Sequence, residues 1–418
     1  MSPHEQDRPD LDRGGARLVV RGAQVMDAAG GFSRATVTAV DGVVVSVERG
    51  PEAEGAAAEV HHPGTAGTGA AGRPGGSTAM LDGAGLWLVP GVVDCHTHLG
   101  WTTFLPADAL TGDLPDPADR ARARLAQVAP GLAATLRAGV TCVRDAGGAE
   151  AATRDAVASG EVLGPTMQTA VATITDELAR DPRALRARVR DLVGRGADWV
   201  KVVATGGVMA PDGSEDESPF DARDLRAVVD EAAGLGVRVM VHAWGGDAVT
   251  HAVAAGVASV EHGMFLTERQ AAEGAARGVV LVPTLAIYSE VVEMARRGEL
   301  PERVRARAER VVEAHPRAVR RAVDAGMEIA LGSDFGTTEQ HGRNLVEIDH
   351  LARAGLGAAG ALRAATQVGA RLLGRGSGVV ETGQRLDAVL LSRDPRDTAV
   401  LRDGLVVERV LLGGVEVG

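Results

Sequence analysis

From about residue 89 onward, the apolar and polar positions of the chain repeat one phrase. An Ala- and Arg-rich run with helical spacing leads to a glycine or another small residue. A short apolar stretch follows and closes on a polar side chain. The phrase reads LRAGVTCVRD, GRGADWVKVV, GLGVRVMVH, AAGVASVEH, ARGVVLVPT and DAGMEIALGSD; WLVPGVVDCHTH precedes it and GPTMQTAVAT supplies another strand. These are eight candidate strands, most of them separated by amphipathic helices such as DARDLRAVVDEAAGLG. Strands alternating with helices predict a parallel sheet. Eight such units predict an α/β fold closed as a (β/α)8 TIM barrel, here over residues 89–381.

The two ends have a different texture. RLVVRGAQVMD and TVTAVDGVVVSVE near the start, and RLDAVLLS and LVVERVLLGGVEVG near the end, read as strands. Residues 17–88 and 382–418 are therefore expected to pair into one small β-sandwich beside the barrel. Residues 1–16 read as a flexible lead-in. Residues 51–79 are rich in Gly, Ala, Thr and Pro and read as a disordered insertion, with His61 and His62 solvated on it.

Composition narrows the function. A chain of 418 residues has room for one large domain and a smaller companion. Aromatics are only 2%, so the core must be aliphatic. A net charge of −12 with no Lys/Arg run argues against nucleic acid as a partner. No apolar run is long enough to span a bilayer, and the N-terminus lacks the apolar core of a secretory signal. Cys95 and Cys142 sit in apolar runs and are expected as buried free thiols, which fits a reducing cytoplasm. The expected partner is a small-molecule substrate; whether the chain forms a homo-oligomer is left open.

Each apolar strand carries at its end a residue that a core would not select: His96 and His98, Asp145, Lys201, His242, His262, Thr284 and Asp334. In a barrel of this type the C-terminal strand ends form the active-site face, so these residues are expected to converge. His96 and His98 are two apart on a strand, so both imidazoles point the same way. Such a pair suits a borderline-soft divalent cation, although one member could equally be a satisfied core histidine. Lys201 lies among valines. Either it reaches solvent or a carboxylate, or its amine is held neutral by burial and reacts with CO2 to give an anionic carbamate able to bridge two cations. His242 and His262 end consecutive strand units. Asp334 could ligate a metal and take a proton from water, or cap a helix; its place in the ligand set ranks the first reading higher.

His-x-His, Lys, His, His and Asp thus fall on strands 1, 4, 5, 6 and 8. With VPGVVDCHTHLGW, GVTCVRDAGG, VKVVATGGVMAP, VHAWGGDAVTHAVAAGVASVEHG, ALGSDFG, LRAATQVGARLLG and GQRLDAVLLSRDP, the chain resembles the amidohydrolase superfamily over about residues 17–418. Within it, the chain resembles in particular the branch of the Xaa-Pro dipeptidase-like and imidazolonepropionase-like enzymes.

The resemblance implies two divalent metal ions, with Zn²⁺ the expected identity. His96, His98 and Asp334 would hold the more buried ion, and His242 and His262 the second. Carboxylated Lys201 would bridge them. A hydroxide between the metals would attack the substrate carbonyl, with Asp334 carrying the proton to the leaving nitrogen. The implied activity is hydrolysis of a C–N amide bond in a dipeptide such as Xaa-Pro or in an N-acyl amino acid. A hydrolase of cyclic amides or amidines, a ring deaminase, and a catalytically silent binding relative are the alternatives. Trp244 stands where many relatives have a second histidine facing the substrate. Tyr288 and His341 are further candidate substrate contacts. Arg144 and Asp145 are expected to form a structural ion pair, and the acidic DGSEDESPFD to be a solvated loop ending in a helix cap.

Overall fold

The computed structural model describes residues 15–50, 77–103, 116–208, 210 and 218–417. The expected lead-in up to residue 14, the low-complexity stretch 51–76 with His61 and His62, and residues 212–217 of the acidic loop lie outside the described residues.

The chain opens with β1 (Arg17–Met26), β2 (Phe32–Val40), β3 (Val43–Arg49), β4 (Thr78–Asp82) and β5 (Trp87–Pro90). Then come β6 (Val92–Thr97), α1 (Pro117–Arg137), β7 (Val140–Asp145), α2 (Ala151–Ala158), β8 (Thr166–Thr169) and β9 (Thr173–Ile174). The pattern continues as α3 (Pro182–Gly194), β10 (Trp199–Val203), α4 (Ala222–Gly234), β11 (Arg238–Ala243), α5 (Gly246–Ala255), β12 (Ser259–His262), α6 (Glu268–Ala276) and β13 (Val280–Val282). Helices α7 (Leu285–Arg296) and α8 (Glu302–Asp324) follow, then short helical turns, and finally β14 (Ala388–Leu391), β15 (Val407–Leu412) and β16 (Val415–Val417).

The terminal strands form one hydrogen-bonded sheet in the order β16-β15-β14-β5-β1-β2-β3, with β4 also on β1. The expected sandwich is therefore continuous in its hydrogen bonding. The cause lies in β1, whose register shifts between Val20 and Ala23 against β2. Its first half pairs β4 and its second half pairs β5, so one bent strand serves both parts. Val20, Val25, Val37, Leu88, Leu390 and Leu411 fill the core of this sheet.

The central strands form two parallel sheets, β6-β7-β8 and β9-β10-β11-β12-β13. Hydrogen bonds join them at both seams. Asp198 N–H, ahead of β10, donates to the Thr169 carbonyl of β8 at 2.8 Å. At the other seam residues 328–334 run between β13 and β6: Ala330 N–H donates to Leu281 O at 3.0 Å, Cys95 N–H to Leu331 O at 2.8 Å, and Asp334 N–H to His96 O at 2.7 Å. The expected eighth strand is thus a bridged segment, paired as an isolated bridge at Ile329. Leu132, Val143, Leu185, Val200, Val228, Val241 and Val260 pack between the strands and the helices.

Two expected strands are divided. WLVPGVVDCHTH breaks at Gly91 into β5 of the terminal sheet and β6 of the central one. A side chain there would stand 2.0 Å from the Thr141 hydroxyl, so only glycine lets the chain cross so close to β7. GPTMQTAVAT breaks into β8 and β9 around Val171, whose φ is 63°. Cys95 and Cys142 are buried and free, as expected. No helix among the described residues is long and apolar enough to cross a membrane.

Candidate metal centre

The six residues predicted as ligands meet at one end of the parallel strands. His96 and His98 project from the end of β6, and their Nε2 atoms lie 3.3 Å and 3.2 Å from Oδ1 of Asp334. Lys201 reaches in from the middle of β10, not from its end, and its Nζ is 3.4 Å from His96 Nε2. The His262 ring sits 4.9 Å from that of His96 and 4.5 Å from that of His242. Ligand atoms of His96, His262 and Asp334 all lie within 4.8 Å of one another. His96, His98, Lys201 and His262 are buried, whereas His242 and Asp334 are partly open to solvent.

Backbone geometry at the site is unusual. Six non-glycine residues have positive φ among the described residues, and three of them are here: His262 at 71°, Thr284 at 60° and Asp334 at 57°. Each ends a strand segment. In a regular strand, neighbouring side chains face opposite sides. The left-handed turn at His262 lets both Glu261 and His262 face the interior, at a cost of about 1–3 kcal/mol for such a conformation.

Three of the four rings have their Nδ1 occupied. His96 Nδ1 is 2.6 Å from Oε2 of Glu261, His98 Nδ1 is 2.7 Å from the Gly147 carbonyl, and His262 Nδ1 is 2.8 Å from the Thr284 hydroxyl. Such contacts fix the ring orientation, leaving Nε2 for the cluster.

The charges are arranged for cation binding. Burial and the Lys201 charge bring the His242 pKa down to about 3. Burial and His242 hold His262 well below its ordinary value. Both imidazoles are therefore neutral, as metal ligands must be. Burial lowers the Lys201 amine to about 8 against the pull of Glu261 and Asp334. Burial opposes ionisation of Asp334, but the charge of His96 and hydrogen bonds from His96 and His98 overcome it and hold the carboxyl well below its usual range. Neutral His242 and His262 beside an ionised carboxylate, with one suppressed amine, suit a divalent cation such as Zn²⁺.

The other candidates are placed as follows. Trp244 is fully buried, with its ring 5.9 Å from Tyr288 and 6.2 Å from Phe265. Tyr288 is also buried, 6.0 Å from the His262 ring. His341 packs away from the ligands, with Nε2 3.3 Å from the Trp101 carbonyl. The Trp101 ring in turn stacks on His98 at 4.0 Å. Arg144 does not pair with Asp145. Adjacent strand residues point apart, and Arg144 turns inward to Glu261 at 2.9 Å. Asp145 instead accepts the backbone N–H groups of Gly100, Gly147 and Ala149. Asp221 closes the acidic loop as the cap of α4.

Sequence reasoning passed over Glu261 and Trp101. Glu261 carried the signal that singled out Lys201, a charged side chain inside an apolar strand. Trp101 carried none, because a lone tryptophan after a strand is ordinary packing material.

Comparison with known proteins gives a consistent picture. The amidohydrolase family profile matches residues 87–417. The chain is 26% identical over 367 residues to ochratoxinase from Aspergillus niger, covering 78% of this chain and 75% of that protein. Among solved structures it is similar to a prolidase in complex with N-methylphosphonate-L-proline, at 27% identity and a TM-score of 0.80, covering 96% of this chain and 99% of that one. It is also similar to a Xaa-Pro dipeptidase with methionine in the active site, at 25% identity and a TM-score of 0.78, covering 96% and 100%.

Proposed function

The chain belongs to the amidohydrolase family, and on that premise we propose that it is a binuclear metal-dependent hydrolase cleaving a C–N amide bond of a small substrate. The scaffold in this reading is a (β/α)8 barrel closed by the seams at Thr169 and residues 328–334. The observation that carries it is the meeting of His96, His98, Lys201, His242, His262 and Asp334 at one end of the strands. A Xaa-Pro dipeptide or an N-acyl amino acid is the substrate class, supported by the similarity to a prolidase, a Xaa-Pro dipeptidase and ochratoxinase.

His96, His98 and Asp334 would hold one cation and His242 and His262 the other, with carboxylated Lys201 between them. Bound divalent ions supply Lewis acidity and a water-derived nucleophile near neutral pH. Asp334 is placed for proton transfer: it is ionised, partly open to solvent, and hydrogen-bonded on one oxygen by both histidines of β6. It takes the proton from the attacking water and delivers it to the leaving nitrogen. The rings held by Glu261, Gly147 and Thr284 keep the cluster rigid while that proton moves.

The test is metal content per chain, by elemental analysis of protein purified without chelator, together with a screen of dipeptides and N-acyl amino acids. About two metals per chain with release of free amino acid supports the proposal. Metal without such hydrolysis moves the substrate to cyclic amides. No metal after reconstitution overturns the proposal and leaves a silent binding protein.

A further inference from the structure

A polar cavity lies at the opposite end of the central strands from the ligand cluster. It opens where the terminal sheet meets the starts of β6 and β7, and its volume is about 100 Å³. That is room for about three water molecules, and enough for a carboxylate or phosphate group. Its wall includes Gly91, Thr141, Cys142, Gln384, Arg375 and Arg385.

Two guanidiniums line this space against one carboxylate, that of Asp387. Asp387 is already committed: its Oδ1 accepts from Arg385 Nε at 2.8 Å and from Gly413 N–H at 2.6 Å. Arg375 has no carboxylate partner among the described residues, whereas the nearby Arg371 is paired with Glu328. The hydrogen bond that Arg375 makes goes to the Cys142 sulfur. Burial pushes that thiol up to about 12 against the pull of Arg375, so the sulfur stays neutral and returns no charge.

The neutral groups of the wall are also open. Thr141 is only 2% exposed, and its hydroxyl has no hydrogen-bond partner among the described residues. Gly91 keeps the space beside that hydroxyl free, since a side chain there would stand 2.0 Å from it. Gln384 spends its Oε1 on Ser377 N–H at 3.1 Å, which leaves its NH2 group uncommitted. A hydroxyl buried without a partner is costly. A small oxyanion satisfies it together with the planar fork of Arg375.

We propose that this cavity is a binding site for a small oxyanion, a carboxylate or inorganic phosphate, held by Arg375 and Arg385 with Thr141 and Gln384 donating to it. Bound there, the anion ties the terminal sheet to the starts of β6 and β7. Such a site is independent of the chemistry at the other end of the strands.

The test is isothermal titration calorimetry of the full chain with sodium phosphate and with sodium acetate, each against sodium chloride at equal ionic strength. Arg375→Gln and Thr141→Val isolate the cavity, because both leave the ligand cluster untouched. The wild type is expected to bind phosphate or acetate saturably, and the tighter of the two identifies the source of the oxyanion. Affinity is expected to fall about 10- to 100-fold in Arg375→Gln and about 2- to 10-fold in Thr141→Val. Circular dichroism melts in chloride should stay close to wild type. No binding beyond chloride overturns the proposal. So does a folded Arg375→Gln with wild-type affinity, which would place the anion at the ligand cluster instead. Should Arg375→Gln fail to fold, Thr141→Val decides, and wild-type affinity there overturns the proposal.

Discussion

His262 Nδ1 lies 2.8 Å from the Thr284 hydroxyl, and both residues hold left-handed backbone, at φ 71° and φ 60°. A β-branched residue in that region is strained, so the surroundings must over-determine it. The hydroxyl at the end of the next strand is what the ring gains. Thr284→Val keeps the shape and removes only the oxygen, stranding a buried ring nitrogen. We expect a loss of about 1–3 kcal/mol in stability and weaker metal retention. Urea denaturation of the metal-free protein and a Zn²⁺ titration would check it. Wild-type values in both would show that the hydroxyl does not orient His262.

In the proposed mechanism, proton transfer and metal holding coincide at Asp334. Asp334→Asn preserves the side-chain volume and removes the base. Turnover is expected to fall by about 10²–10⁴-fold, with the circular dichroism melt of metal-loaded protein close to wild type. Steady-state kinetics on the substrate found by the screen reads the loss. A change of less than about tenfold would take Asp334 out of proton transfer.

The clustering of these side chains was legible because an apolar strand seldom carries a histidine or lysine for packing alone. His96, His98, His242 and His262 stand out for that reason, and so does Lys201. Glu261 is equally anomalous in ASVEHG, but on a regular strand it would face away from its neighbour His262. Only the left-handed turn at His262 brings both inward. The partner of Arg144 was misread for a related reason: nearness in sequence suggested Asp145, whereas the strand points that residue the other way. The break at Gly91 leaves no trace in the hydrophobic pattern, because its cause is a Thr141 hydroxyl on another strand. Long-range contacts of this kind are not written in local periodicity.

His341 ties the expected active-site rim to solution pH. Burial lowers its pKa from the ordinary 6.5, and the hydrogen bond to the Trp101 carbonyl only partly opposes this. The native state therefore keeps the ring neutral where the unfolded chain would protonate it. A depressed histidine contributes stability that is present above 6.5 and is lost as pH falls below it towards the folded value. Wild-type stability is thus expected to decline on acidification below 6.5, and His341→Gln to flatten that slope. The comparison is between slopes, so the hydrogen bond lost in the variant shifts both ends alike. Denaturant melts of stripped protein across this range test it; parallel slopes would exclude His341 as a source.

Lys201 offers the sharpest test of the bridging role. It is buried among the strands, its Nζ lies 3.4 Å from His96 Nε2, and burial lowers its amine to about 8. A substantial neutral fraction near physiological pH is what addition to CO2 requires. The nitrogen lone pair forms the new N–C bond, one proton leaves to solvent, and a carbamate anion remains. Lys201→Ala removes the nitrogen and leaves a small polar-walled space beside His96. We expect that variant to lose metal and most activity while remaining folded. Formate or acetate in the medium should then restore part of both, because a short carboxylate can take the place of the carbamate oxygens. Rescue by carboxylates but not by chloride would separate a missing ligand from a damaged fold. The wild type should gain the mass of one CO2 under native conditions and lose it on acidification. Full activity with two bound metals in Lys201→Ala would refute the bridge, and the amine would then be read as a buried cation balancing Glu261 and Asp334.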